Sequence, residues 1–359
     1  MVKKFLLAVA VGAPVAVMTI KHFTSLPWGN DLDALCPGYK NTDLTGHDGL
    51  DNLLCKVINI FTHAINDPLG QIISWLLLGL FASVLAIWGV EGSRVKANLL
   101  LSSLALWGMA ANLFTLSAVM FGLWLPAYYF CYGDDNSNIP NYGIPSARST
   151  AVLVAVVVGF IFPSLAMLLF PDLGDAPWSH TQTIIVALWQ LAPLVVMPIY
   201  VFSTSTFACM EEPLDPRIGR EGRERRRVAD QKSGVETVHL VLAFANAVLY
   251  YIMIFRASGR GLFNWETLVD AWTLHSGKLT ILSIEQRGHI DATHFFLVDL
   301  LVAWAGVGFW ALLESGLVGV FILVVGTIFT GPGAGVSLYA AYRESHVQDN
   351  DRLVVKKNE

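Results

Sequence analysis

The sequence predicts an all-α protein: a polytopic transmembrane helical bundle of about seven or eight spans. Three observations predict it. Hydrophobic residues make up 54% of the 359 and charged residues only 14%, against roughly 25% charged in an ordinary soluble domain. The mean hydropathy is +0.55, and a soluble protein this apolar would display large greasy patches. The apolar residues also gather in runs of about 20, the length that crosses a hydrocarbon core as a helix. Eleven tryptophans and ten tyrosines suit a bilayer interface or an aromatic-lined cavity. The formal net charge of -5 offers no basic stripe for nucleic acid. Four cysteines without metal-ligand spacing make neither a disulfide scaffold nor a zinc site.

The elements follow in order. Residues 5–20 come after Lys3 and Lys4 and are short for a span. They read as a signal-anchor. A cleaved signal peptide is the alternative, since small residues around Ala10 and Gly12 admit cleavage without a sharp polar boundary. Residues 21–71 form a polar segment carrying Asp31, Asp33, Asp43, Asp48, Asp51 and Asp67. If that segment is lumenal, Cys36 and Cys55 within it can be linked; two free thiols are the equal alternative. Stronger spans are expected at 72–90, 97–125, 150–170, 182–205, 236–256, 292–313 and 316–338, within a bundle reaching residue 342 and followed by a polar tail, 343–359. Pro163, Pro193 and Pro198 should kink their helices. The uncharged run 97–130 would reach about 51 Å as one helix, more than the core needs. A tilted helix ending near Pro126, with Tyr128, Tyr129 and Tyr132 at the interface, is the expectation. Residues 262–286 mix apolar residues with Glu266, Asp270, His275 and Lys278 and read as an interfacial or re-entrant helix.

Orientation meets a conflict. The loop 211–234 contains the most basic stretch, RIGREGRERRRVADQK at 217–232, with seven Lys and Arg residues. It should face the cytosol. With Lys3 and Lys4 also cytosolic and one crossing per run, it falls on the opposite side. Either the first span is inverted, or the third run is not a single crossing, or the charge rule misleads.

Function in such a protein is sought at ionisable groups inside the apolar layer, where an unpaired charge is costly. Asp299, in HFFLVDLLVAWAGVGFW, lies about seven residues into its span. It shares a helical face with Ala292, Phe295, Ala303, Gly306 and Trp310. That face reads as a catalytic or ligand-binding acid, with a helix-to-helix hydrogen bond as the bland alternative. Glu91, in AIWGVEGSRVK, sits at the mouth of its helix one turn after Trp88; an interfacial Glu91–Arg94 pair is the plain reading. On the sixth span His239, Ala243, Asn246 and Tyr250 align, with Glu236 one turn ahead. Asn246 reads first as interhelical glue. Asp291 and His294 form an i,i+3 pair which, with Glu236 and His239, has the donors for a metal; solvated membrane-edge groups are the simpler reading, and no metal site is expected. Glu314 caps the connection between the last two spans, and Glu211 and Glu212 belong at the interface. No Gly-rich phosphate loop, His-Glu-x-x-His helix or Cys-x-x-Cys pair occurs, so a nucleotide-driven pump is disfavoured. No internal repeat is evident, which weakens an inverted-repeat transporter.

With an acid just beyond an early helix (WGVEG) and another within a late one (HFFLVDLL), the chain resembles the fungal integral-membrane terpene cyclases of meroterpenoid and prenylated-polyketide biosynthesis. The likeness covers about residues 70–340. It departs in the chain's greater length, the 21–71 segment and the basic 217–232 segment. The resemblance implies an enzyme of the endoplasmic reticulum membrane whose partners are a hydrophobic prenylated small molecule and membrane lipids. It implies protonation of an epoxide or olefin followed by cation cyclisation, without metal or cofactor, with Glu91 and Asp299 as the catalytic acids. Trp88, Phe295, Trp310, His239, Asn246 and Tyr250 are then the expected substrate-binding residues.

The residues fit that chemistry on their own terms. A substrate entering from the bilayer is spared desolvation, and a carboxyl group in low dielectric can remain protonated near neutrality. Aromatic faces stabilise a developing cation. Asp134 and Asp135 lack the third acid of a DDxxD motif, which argues against magnesium-assisted loss of diphosphate; that pair reads as solvated. His239 or Tyr250 would take up the final proton. Three alternatives remain at this point: a sterol-isomerase-type lipid-modifying enzyme, a small-molecule transporter and a non-catalytic assembly protein. Ring formation separates a cyclase from an isomerase, and coupled uptake in vesicles would mark a transporter.

Overall fold

A computed structural model of the chain describes residues 3–26, 36, 46–133, 143–169, 180–210, 219–273 and 282–347. Among these the regular structure is helical throughout. In chain order the helices are α1 (Lys3–Thr24), α2 (Asp48–Asn66), α3 (Pro68–Gly92), α4 (Leu104–Phe114), α5 (Leu116–Tyr132), α6 (Ser146–Leu169), α7 (His180–Trp189), α8 (Ala192–Met210), α9 (Arg220–Gly259), α10 (Trp265–Thr273), α11 (Ile284–Thr330) and α12 (Pro332–Val347). Six described helices hold an apolar stretch long enough to cross a membrane; they lie in α1, α3, α6, α8, α9 and α11. Exposed Phe202, Phe244, Phe255, Phe321 and Phe329 give the bundle an apolar outer belt, as an integral membrane protein requires.

Local signals set the boundaries. Pro68 occupies the first turn of α3, and the Asp67 carboxylate accepts from the Gly70 amide at 2.6 Å, an N-cap before a proline start. Ser283 and Gln286 form a reciprocal capping box at the start of α11. α11 breaks at Gly316 (φ 62°) and ends at Gly331 (φ 89°), a left-handed backbone that glycine adopts without steric cost.

The polar contacts sort the helix ends into two groups. At one end, the disulfide end, Cys36 and Cys55 are bonded. There Arg260 donates to Gln71 at 2.9 Å, His289 to the His63 carbonyl at 2.7 Å, and Thr293 to Asp67 at 3.1 Å. His22 and His294 meet through their Nε2 atoms at 2.9 Å. At the opposite end, the charged end, Lys4 pairs with Glu314 at 3.4 Å, Arg148 donates to the Ser93 carbonyl at 3.2 Å, and the Ser93 and Tyr200 hydroxyls share a 2.7 Å bond. Hence α1, α3, α6, α7 with α8, α9 and the first arm of α11 run alternately from end to end.

Two expected spans are instead hairpins. The run 97–125 turns back at Thr115, which adopts φ 74°; α4 enters from the charged end and α5 returns to it. Its base is closed by Lys96, donating to the Tyr132 carbonyl at 3.2 Å. The expectation of one tilted helix is therefore corrected. Tyr128, Tyr129 and Tyr132 do not face outward but are packed inside the charged end of the bundle, 1–2% exposed. The run 316–338 likewise climbs along the second arm of α11, turns at Gly331 and descends as α12. Length and apolarity alone do not distinguish a crossing from a hairpin of the same length, which is why these two runs misled. The described crossings number six; four of them, α1, α3, α6 and α7 with α8, precede α9, and that even number places the basic start of α9 at the same end as Lys4. The orientation conflict disappears because the third run does not cross.

α10, too short to cross, carries exposed Trp265 and Trp272, in keeping with the interfacial reading of that stretch. Residues 274–281, Asp134–Asp135 and Glu211–Glu212 lie outside the described residues.

Candidate active site

Glu91 emerges at the last turn of α3, where the chain bends toward the short Leu99–Ser102 turn, and Arg94 lies three residues on. Their side chains make a fork: Arg94 Nε donates to Glu91 Oε2 at 2.9 Å and Nη2 to Oε1 at 2.8 Å. Three elements far apart in sequence complete the cluster. From α12, Arg343 Nη1 donates to Glu91 Oε1 at 2.9 Å, and Glu344 accepts from Arg94 at 2.6 and 3.2 Å. From α11, Glu314 Oε2 accepts from Arg343 Nη2 at 2.9 Å. From α5, the Tyr128 and Tyr129 hydroxyls donate to Glu314 at 3.2 and 3.1 Å, and Arg343 donates to the Tyr128 oxygen at 2.5 Å. Tyr132 donates to the Glu91 carbonyl at 2.5 Å. Glu91, Arg94, Arg343 and Glu344 are all no more than 3% exposed. Buried charges persist only when paired and hydrogen-bonded, and here three carboxylates meet Arg94, Arg343 and the partly exposed Lys4.

Aromatic rings wall this cluster. Trp124 lies 6.1 Å from Trp88, 5.8 Å from Trp310 and 5.2 Å from Tyr128, centroid to centroid. The Arg343 guanidinium stands 4.7 Å from the Trp310 ring, within cation–π range. Tyr339 packs edge-on to Trp310 at 5.5 Å. A helix of π type over Met120–Trp124 carries Trp124, and such turns recur at functional sites. The assembly joins exchangeable protons to a cation-stabilising aromatic wall inside an apolar bundle.

A model of the CtvD domain matches residues 31–348. The chain belongs to the CtvD family. No curated protein and no solved structure matches it.

In this CtvD-family chain the two acids expected to act are not neighbours. Asp299 stands fifteen residues before Glu314 on one helix, about 22 Å along its axis. Its Oδ1 accepts from the Ser117 amide at 2.9 Å and the Ser117 hydroxyl at 2.5 Å, and its Oδ2 from the Leu116 amide at 3.3 Å. Asp299 therefore caps α5 where the hairpin turns inside the bundle, satisfying amides that would otherwise be orphaned.

The expected substrate-binding residues divide as well. Trp88 and Trp310 belong to the aromatic wall. His239, buried on α9, lies near enough to Glu91, Arg94 and Arg343 to feel their charges, and its Nδ1 has no protein partner. Asn246 binds the Ser83 hydroxyl at 3.0 Å and the Leu242 carbonyl at 3.0 Å, joining α9 to α3. Tyr250 packs on the Gly331 turn. Phe295 packs against Phe23 with tilted rings, 4.2 Å between centroids, toward the disulfide end, away from Glu91. The acid–imidazole pairs also separate: Glu236 and His239 lie in the charged half of the bundle, Asp291 and His294 at the disulfide end. Among the described residues no three His, Cys, Asp or Glu side chains gather as a metal-binding group.

Sequence reasoning missed Glu314, Arg343, Tyr128 and Tyr129. The available signal was weak: Glu314 interrupts two apolar runs, and Arg343-Glu344 follows the last one, so all three are charges bordering apolar segments.

Proposed function

We propose that the protein is a membrane enzyme which protonates an epoxide or olefin of a prenylated aromatic or polyketide substrate and guides cyclisation of the resulting cation. The endoplasmic reticulum is its proposed location. The observation that carries this reading is the Glu91–Arg343–Glu314–Tyr128 cluster, buried in an apolar bundle against Trp88, Trp124 and Trp310. Membership in a family associated with terpene and meroterpenoid pathways supports it.

The chemistry needs a proton delivered and a proton recovered. Opening the epoxide by protonating its oxygen leaves a carbon cation; ring closure moves that charge, and loss of a proton from carbon restores neutrality. Substrate and product are isomers. Glu91 and Glu314 share Arg343, so a proton residing on one carboxyl leaves the guanidinium to the other. The Tyr128 hydroxyl, which donates to Glu314 and accepts from Arg343, is placed to relay it. The indole faces of the wall offer electron density without a lone pair strong enough to quench the cation. In this proposal Asp299 is a positioning residue that holds Trp124 and Tyr128 in register through the start of α5.

The test is expression in microsomes with a panel of farnesylated phenols and their terminal epoxides, with products identified by mass spectrometry and NMR. A cyclised product of unchanged mass is expected. Glu91→Gln and Glu314→Gln should each lower turnover by at least about 100-fold, the lower end of what general acid catalysis supplies. Full activity in both variants would remove the cluster from the mechanism, and coupled uptake without product would favour a transporter.

A further inference from the structure

The indole Nε1–H groups of Trp88, Trp124 and Trp310 find no acceptor among the described residues, although the three side chains are 0–1% exposed. Indole is a donor only, and a buried donor left unpaired forfeits its hydration without compensation. The bundle satisfies indoles elsewhere: Trp107 donates to the Leu100 carbonyl at 3.0 Å, Trp189 to the Ser164 hydroxyl at 2.8 Å and Trp304 to the Thr327 hydroxyl at 2.8 Å. Trp75, in the other half of α3, also lacks a partner, but the three at the cluster touch one another in series, Trp88 to Trp124 to Trp310. Nδ1 of His239, near the same charges, is a fourth unmatched atom.

The neighbouring acceptors are already taken. The carboxylates of Glu91, Glu314 and Glu344 are engaged by Arg94, Arg343 and Lys4, and before the cluster takes up a proton the three charges of each sign balance. A ligand bearing a diphosphate or carboxylate would bring uncompensated charge into this interior, and an ammonium would confront N–H donors. What the unmatched groups complement is a neutral molecule with accepting oxygens.

We infer that Trp88, Trp124 and Trp310 form a subsite for an uncharged ligand presenting two or more hydrogen-bond-accepting oxygens, of carbonyl, ester or ether type. This rests on reading the adjacent cluster as a reaction site, and it narrows the head group that the substrate carries. The indoles would then act through their N–H edges on the head group while their faces meet the apolar chain.

Binding to the full-length protein in nanodiscs tests the subsite without requiring turnover. The probes are farnesyl acetate, the hydrocarbon farnesene, farnesylamine and farnesyl diphosphate, which share an isoprenoid chain and differ at the head. Farnesyl acetate should bind at least about tenfold more tightly than farnesene, a difference of about 1.4 kcal/mol. Trp124→Phe and Trp310→Phe, which keep an aromatic face and lose the donor, should reduce that preference to under about threefold. In protein labelled with ¹⁵N at the indole, the signals lost in the Trp88→Phe, Trp124→Phe and Trp310→Phe variants should shift downfield with the acetate and not with farnesene. Equal binding of acetate and farnesene, tighter binding of the amine or the diphosphate, or indole signals that ignore the acetate would overturn the subsite. The last result would mean that the donors are satisfied by water alone. An ester preference that persists while the phenol panel gives no product would keep the subsite and sink the cyclase reading. Cyclisation without any ester preference would do the reverse.

Discussion

Asp299→Asn separates a structural acid from a reacting one. In the wild type both carboxylate oxygens accept: Oδ1 from the Ser117 amide and hydroxyl, Oδ2 from the Leu116 amide. Asparagine keeps one accepting oxygen for Ser117 but turns an NH₂ toward the Leu116 N–H. One buried donor loses its partner and faces another donor, a cost of about 1–3 kcal/mol. Asp299→Leu strands all three donors and should cost about 3 kcal/mol or more on the same scale. Ser117→Ala removes the hydroxyl alone, and because the two residues touch, the double variant with Asp299→Asn should show coupling of roughly 0.5–3 kcal/mol. Unfolding in detergent micelles, followed by Trp fluorescence and circular dichroism, measures these differences. Turnover of the folded Asp299→Asn protein on a productive epoxide should fall less than about tenfold, well short of the general-acid loss expected at Glu91. Unchanged stability with a loss of 100-fold or more would refute the capping argument and return Asp299 to the chemistry.

Three further predictions are open to direct measurement. The charged end, with Lys4 and the basic start of α9, should face the cytosol and the disulfide end the lumen: a tag at Gly222 should react with a cytosolic reagent in sealed microsomes, and Cys36–Cys55 should resist alkylation in native protein, so protection of the tag or two alkylated thiols would reverse the orientation. α1 should be retained rather than cleaved, because Gly12 packs directly on the Phe121 carbonyl and Lys4 binds Glu314; N-terminal sequencing that begins just past Ala10 or Gly12 would show otherwise. Burial first, with His289 beside it, lowers the His63 pKa to about 4 from 6.5, against the pull of its bond to the Asn59 carbonyl. The unfolded chain then binds a proton that the folded one refuses, so stability should fall as pH drops from 6.5 toward 4, by up to about 3 kcal/mol, and His63→Gln should flatten that part of the pH–stability curve; an identical curve in the variant would exclude His63 as its source.

The helical class was legible because apolar runs of spanning length have few other solutions. The expected spans at 72–90, 236–256 and 292–313 fall within α3, α9 and α11, and residues 150–169 of the span expected at 150–170 lie in α6. What the runs conceal is direction. Nothing in the neighbourhood of Thr115 announces a turn, since a threonine at positive φ is uncommon, and the residue that holds it there, Asp299, comes nearly two hundred positions later. The turn at Gly331-Pro332 was more readable, because glycine followed by proline is a common stop, but it lies inside a run that hydropathy averages over. The Glu91–Arg94 pair was legible from its spacing at a helix mouth, while Glu91 entered as a candidate acid chiefly through the family resemblance. Glu314 and Arg343 were not, because the value of each depends on the other, and pairing across α11 and α12 exists only once the hairpin has formed.

That dependence bears on how the site and the fold are joined. Each hairpin delivers one end to the charged cluster: α5 brings Tyr128 and Tyr129, and α12 brings Arg343 and Glu344. α3 supplies Glu91 and Arg94, and the first arm of α11 supplies Glu314. Buried ion pairs of this kind contribute little net stability relative to apolar packing, yet breaking one by removing a single partner is costly. The cluster therefore acts less as a source of stability than as a register check, satisfied only when both hairpins have folded back to the same end. A carboxylate released from one guanidinium remains held by a second donor, as Glu314 is by Tyr128, Tyr129 and Lys4. Redundant donors let a proton or a guanidinium shift within the cluster without stranding a charge, so the same wiring that fixes the fold also permits the small rearrangements that the proposed proton transfer demands.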